Sequence, residues 1–187
     1  MLKGDIYSFS GYKWRVLDVQ SDKVLLLSEN VLEKKRYHES YVDTTWENST
    51  LRKYLNDEFY DKFSLTEKTK IVETKIENRN NPWFNINAGN DTTDKIFLLS
   101  IEEVVKYFGC SEQLNNVPKN KSWIDDQYNT AREAKNTKGE ECWWWLRSPG
   151  IRKSNATLVY DDGTLRISGF SVNYNGGGVR PSLWLNM

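Results

Sequence analysis

Few side chains in this sequence are equipped for chemistry. One histidine, His38, and two cysteines, Cys110 and Cys142, stand among 187 residues. Imidazole titrates near neutrality and is the commonest metal ligand, so most acid-base and metal mechanisms lack their usual carrier here. His38 follows Lys34, Lys35 and Arg36 and reads as a solvated side chain. Cys142 follows Glu140 and Glu141, and neighbouring carboxylates raise a thiol pKa, which weakens a nucleophile. A buried, inert thiol at a strand start is the expectation. Two cysteines make neither a disulfide framework nor, with one histidine, a zinc site. Asp161-Asp162-Gly163 lacks the alternating acidic ligands of a calcium loop and reads as turn chemistry. Phosphate loops, dinucleotide fingerprints and nucleophile elbows are absent from the sequence. The expected site therefore contains no catalytic residue, no metal and no cofactor.

Arg147 and Arg180 carry more information, because each lies inside an apolar, aromatic word: CWWWLRSPG over 142–150 and GGGVRPSLWLNM over 176–187. A bare guanidinium there is costly. Each should stack on Trp and pair with a carboxylate or with carbonyls. Structural service is the expected role, with ligand binding the lesser alternative. Trp143, Trp144, Trp145, Arg147, Arg180 and Trp184 are thus the structural anchor. Alternation in a strand sends Trp144 and Leu146 one way and Trp143, Trp145 and Arg147 the other, so both faces want cover. The two words are expected to be strands of one sheet, over 143–146 and 179–185, with Pro181 marking an edge, a strand start or a bulge.

The elements that must position these words are legible in part. Ile6 to Phe9, Tyr12 to Val19 and Val24 to Ser28 read as a meander, whereas 31–46 lacks a sustained period. Ser49 caps a helix with Leu51, Tyr54, Leu55 and Phe59 on one face. Ser64 and Glu67 match a capping box, and Ile71 to Ile76 is undecided between helix and strand. Glu77 to Thr93 reads as a long loop interrupted by Trp83-Phe84, an aromatic pair that pins the loop or binds a partner. Asp94 to Leu99 is expected as a short strand leading into the clearest helix, Ile101 to Phe108, with Ser100 and Glu103 as its capping box. The polar stretch 110–141 is expected as a surface insertion, with a short helix from Ile124 to Lys135.

Composition limits the function classes. The 26 basic and 26 acidic residues cancel, so nothing draws the chain to nucleic acid or to an anionic membrane. Aromatics make up 13% of the residues although mean hydropathy is −0.72, a pairing that suits a polar globule with an aromatic core or an aromatic binding face. No run reaches the roughly 20 apolar residues of a membrane span, and no signal-peptide stretch follows Met1. As given, the chain reads as cytoplasmic; a chain trimmed of its leader would read the same from outside the cell. The length fits one domain over 1–187.

The words Gly11 to Asp18, Thr45 to Arg52, Asp94 to Ser100, Trp143 to Gly150 and Gly178 to Pro181 resemble those of an uncharacterised bacterial domain family, common in Firmicutes, with WWLRSPG and GVRPALWL as its signatures. Ser182 replaces the alanine of the second signature. The resemblance implies a bacterial or phage source and no particular activity. More remotely, the C-terminal third is similar to C-type lectin-like domains of the formylglycine-generating-enzyme and retroelement-variable-protein kind. That similarity implies an α+β, C-type lectin-like fold of short antiparallel strands, two capped helices and long loops. Calcium-binding lectin words are missing, as is the cysteine pair of the formylglycine enzymes.

The resulting expectation is a non-catalytic module that binds a protein or carbohydrate ligand through 151–175, with no nucleic acid and no membrane partner. Arg152, Lys153, Asn155, Tyr160, Asp161, Arg166, Phe170 and Tyr174 are the candidate contacts, since that mixture of aromatics, Arg and small polar groups suits adaptable recognition. An enzyme with a carboxylate-based site and a structural accessory domain remain the alternatives.

Overall fold

The computed structural model describes residues 1–119 and 122–187, and the protein is α+β, mostly sheet with short helices. Residues 120 and 121 of the 110–141 stretch lie outside the described residues. Strands β1 (Ile6–Phe9), β2 (Tyr12–Val19) and β3 (Lys23–Ser28) form the expected meander. Ser10 and Gly11 both take positive φ, 51° and 75°, as a two-residue hairpin turn with right-handed strand twist requires. The irregular stretch that follows contributes the two-residue β4 (Glu33–Lys34).

Ser49 accepts the Arg52 amide and starts α1 (Thr50–Tyr54), which widens into a π turn over Leu55–Phe59 and tightens to a 3-10 turn over Tyr60–Lys62. The Ser64–Glu67 capping box starts α2 (Leu65–Lys68). The undecided segment 71–76 is strand: β5 (Ile71–Val72), then β6 (Thr74–Ile76), which pairs with β7 (Thr92–Asp94). Of the strand expected over 94–99, only Asp94 lies in a ladder, as the last residue of β7. Asn56 takes that backbone instead, its Oδ1 accepting the Lys95 and Ile96 amides at 2.8 and 3.2 Å and its Nδ2 donating to Ile96 O at 2.8 Å. Only Phe97 then bridges to Ser182.

Helix α3 (Ile101–Tyr107) has both bonds of its capping box. The helix expected over 124–135 is cut to β8 (Trp123–Ile124) and α4 (Asn129–Arg132), because Asp126 and Asn129 side chains accept backbone amides at 126–128 and turn the chain. Arg132, fully buried, grips Asp126 with its Nη2 at 2.7 Å. The C-terminal third supplies β9 (Trp144–Pro149), β10 (Asn155–Val159), β11 (Leu165–Ser171), β12 (Gly178–Val179) and β13 (Ser182–Asn186).

Among the described residues the strands form a five-stranded sheet, β1-β2-β3-β13-β5, a six-stranded sheet, β4-β12-β9-β10-β11-β8, and the β6-β7 pair. The two anchor words are therefore not strands of one sheet, contrary to expectation. Gly178–Val179 lies parallel to β9, whereas Ser182–Asn186 crosses to β3 in the other sheet. Pro181 sits between them; lacking an amide proton, it can hold a corner where no ladder bond is needed. Gly177 permits the preceding approach, since a Cβ there would meet Trp145 Nε1 at 1.7 Å.

The core runs between the sheets, with Trp14, Trp46, Trp144, Trp145, Leu26 and Leu27 fully enclosed. Trp83 is buried too, pinned by its Nε1 donating to Leu114 O at 2.9 Å, so the aromatic pair of the long loop packs down. No helix among the described residues is long and apolar enough to cross a membrane.

Ser182 is fully buried, and its hydroxyl finds no hydrogen-bond partner among the described residues. An unsatisfied buried hydroxyl costs roughly 1–3 kcal/mol. Ser182→Ala, which restores the residue of the resembling signature, should stabilise the fold by about 1 kcal/mol. Urea unfolding of the variant checks this, and a loss of stability would show that the hydroxyl is bonded.

Candidate functional site

The anchor residues divide into those that hold the core and those that reach the surface. Trp144 is wholly enclosed; its indole N–H donates to Arg132 O at 3.2 Å, and the Arg180 guanidinium lies 4.9 Å over its ring. Arg180 satisfies the expectation of Trp stacking and carbonyl partners, donating to Ser28 O and Glu29 O at 2.9 and 3.3 Å. Arg147 departs from it in one respect. Its ring neighbour is Phe97, at 5.9 Å, while Glu103 supplies the carboxylate at 2.5 Å and Leu98 O accepts a further bond at 2.7 Å. Trp184 is half-buried under Lys23, whose Nζ lies 4.9 Å from its ring.

Trp145 donates to Lys35 O and stacks edge-on to Tyr37, and Trp143 meets it at 4.8 Å. From Trp143 the rings continue outward: Phe170 at 5.6 Å, Tyr174 at 5.9 Å, then Tyr160 against Phe170 at 5.7 Å and Trp123 against Tyr160 at 5.9 Å. Phe170 and Tyr174 are stacked, with 23° between their planes. Arg166 lies across this patch, 4.3 Å over Phe170 and 4.8 Å over Trp123. It donates to the Tyr160 hydroxyl and to Ser168 Oγ, and no carboxylate lies within ion-pair distance among the described residues. Tyr174 is 51% exposed and Trp123 36%, so the outer rings face solvent.

Why the chain folds this way follows from β11. Arg166, Ser168 and Phe170 share one parity and stand on the outer face, while Leu165 and Ile167 face inward. The turn that carries Tyr160 and Asp161 is closed by Asp162, whose Oδ1 accepts the Thr164 amide at 2.9 Å, and by Gly163 at φ 77°. A Cβ at Gly163 would strike Asn129 O at 1.9 Å, which fixes the turn against α4.

The structure brings Tyr160, Arg166, Phe170 and Tyr174 of the candidate contacts into one patch. Asp161 stands at its end, in an open groove of about 420 Å³ lined also by Trp123, Asp125, Tyr160, Asp162 and Thr164. Asn155 pairs with Ser171 in the β10–β11 ladder, beside Phe170. Arg152 and Lys153 belong to the exposed loop between β9 and β10, at the opposite end of β10 from Asp161, and make no ion pair or ring contact among the described residues. Two ring members were missed as contacts. Trp143 is expected as a structural anchor and not as a contact, and Trp123 belongs to a two-residue strand that has no periodicity to read.

The remaining reactive side chains are placed as follows. His38 is half-buried, and its Nδ1 accepts the Thr50 amide at 3.3 Å, so it serves the start of α1 instead of standing free in solvent. Cys142 is buried; burial pushes its thiol pKa up, Lys34 offsets part of the effect, and Asp161 and Glu140 add to it. Alkylation at neutral pH should therefore modify the half-exposed Cys110 well before Cys142. Mass spectrometry of a time course checks this, and rapid labelling confined to Cys142 would reveal an activated thiolate. Among the described residues no group of three or more His, Cys, Asp or Glu is arranged to hold a metal ion.

Residues 21–187 match the family model described as a domain of unknown function (DUF6273). No curated protein and no solved structure matches the chain.

Proposed function

Since the chain belongs to the DUF6273 family, whose description assigns no activity, we propose from its surface alone that it is a non-catalytic recognition module. Its partner, a glycan or a protein, would engage the patch of Trp123, Trp143, Tyr160, Arg166, Phe170 and Tyr174. The observation that carries this reading is the continuity of these rings from the enclosed Trp145 to the solvent-facing Tyr174. Aromatic side chains mounted on a sheet lose little freedom on association, and their faces suit both sugar rings and apolar side chains. Arg166, stacked but without a carboxylate, adds a cation whose remaining donors can orient a ligand.

The lectin-like reading of the fold and the bacterial or phage source rest on the sequence resemblance. The capped helices α1 and α3 and the hairpin-borne patch are consistent with that layout. Arg152, Lys153, Asn155 and Asp161 would act at the margins of the patch.

The carboxylate-based alternative has its best material at Glu33. Tyr54 donates to Glu33 Oε1 at 2.5 Å, Lys62 donates to the Tyr54 hydroxyl at 3.1 Å, and Lys35 and Lys62 lie 3.9 Å from the same carboxylate. Burial and then Glu33 raise the Tyr54 pKa, so the phenol keeps its proton. A carboxylate held by one phenol and two ammonium groups resembles a closed ion-pair network more than a poised base.

The test is a glycan array and a pull-down, followed by affinity measurement for whichever ligand is found. A combined Tyr160→Ala, Phe170→Ala, Tyr174→Ala variant that melts like the parent should bind at least about tenfold more weakly. Unchanged affinity in that variant would place the site elsewhere.

A further inference from the structure

We propose that a second site, a groove floored by Arg180, binds a small oxyanion of the carboxylate or phosphate type. The groove measures about 350 Å³ and takes its walls from the chain start and α3, with Lys3, Arg15, Tyr107, Phe108 and Ala131 around Arg180. It shares no residue with the aromatic patch, so the two proposals stand or fall separately.

Three observations support the assignment. Arg180 is 2% exposed and, among the described residues, is held by two carbonyls through Nε and Nη2, while its Nη1 finds no acceptor there. A guanidinium buried with one nitrogen unsatisfied and no ion-pair partner in contact among the described residues is an expensive arrangement. Next, Glu29, the carboxylate whose charge acts on Arg180, is already engaged, gripped at both oxygens by Arg15 at 2.8 and 2.5 Å. Glu29 is thus shared: burial pulls the Arg180 pKa down to about 10, the Glu29 charge offsets only part of that, and Arg15 adds to it. Finally, the Arg180 guanidinium is clamped by rings, lying 4.9 Å from Trp144 and 5.9 Å from Phe108, so it cannot swing out to water. Lys3 brings one more cation to the rim, against Glu133 as the rim's other acid.

A planar or tetrahedral oxyanion supplies what is missing: a negative charge and acceptor lone pairs within a partly dehydrated, aromatic-walled recess, where charge-assisted bonds are strong. The Trp144–Arg180 pair then does two things, closing the core on one side and holding a cation just beneath the groove floor on the other.

The test is calorimetric titration of the intact chain with inorganic phosphate and, separately, with acetate, at constant ionic strength held with a bulky, weakly coordinating anion. Saturable binding of one probe with one-to-one stoichiometry is expected, and which probe binds tells phosphate from carboxylate. Ala131→Glu, at an exposed groove position, should leave the melting temperature without probe unchanged and weaken binding about tenfold. Arg180→Met, if it melts cooperatively, should lose the binding. Absence of saturable binding by both probes would overturn the proposal, as would equal affinity in Ala131→Glu.

Discussion

Replacing Trp144 with alanine should lower the unfolding free energy by about 3–5 kcal/mol, the range for a fully enclosed aromatic. The ring is wholly buried, so its removal forfeits transfer free energy and leaves a cavity between the sheets. Two polar debts are added. Arg132 O loses its indole donor, and the Arg180 guanidinium loses the ring face beneath it. Trp184→Ala is the control, because that ring is half-buried at the sheet surface and should cost less than half as much. Equilibrium urea unfolding of both variants measures the difference. A near-neutral Trp144→Ala would remove Trp144 from the anchor.

Glu103→Ala should cost about 2–4 kcal/mol, somewhat below the range for breaking a fully buried ion pair, because Arg147 is enclosed while the Glu103 side chain is 28% exposed. Glu103 has two duties. It closes the capping box of α3 by accepting the Ser100 amide at 2.9 Å, and it holds Arg147, which is nearly enclosed, through both oxygens. The truncation frees a cap worth roughly 1 kcal/mol and strands a guanidinium that then has only the carbonyls of Leu98 and Glu77 and the Asn78 amide oxygen. Two measurements separate these parts. Glu103→Gln keeps a capping acceptor and should recover part of the loss. Combining Glu103→Leu with Arg147→Leu should cost less than the sum of the single changes, because neither charge is then left alone. Strict additivity would mean that the pair is not coupled.

The helices were the most legible elements because their signals are local. Ser49, Ser64 and Ser100 each accept an amide three residues on, and the last two complete the box with Glu67 and Glu103. The meander was legible for the same reason. What sequence could not show was set by partners far along the chain. Asn56 intercepts the backbone of Lys95 and Ile96, so an apolar run with every appearance of a strand never joins a ladder. The split of the closing word between two sheets depends on β3 and β9 both standing ready, and alternation within the word is blind to that. For the candidate site, residues Tyr160 to Tyr174 were visible as a mixture of types on a hairpin. Trp123 was not, since a two-residue edge strand is placed by its neighbour Arg166 and not by its own pattern.

The corner at Pro181 also sets an order of events during synthesis. Among the described strands, β12 and β13 emerge last, yet β13 lies between β3 and β5, and β12 between β4 and β9. Until they arrive, β3 and β9 each present an unpaired edge, and Arg180 cannot meet carbonyls that left the ribosome some 150 residues earlier. Contacts of such sequence separation are slow to form, and open edges in the interval invite pairing with other chains. A nascent chain halted anywhere before Gly178 should therefore be held by chaperones or aggregate, and the two sheets should appear together, late, as one cooperative step.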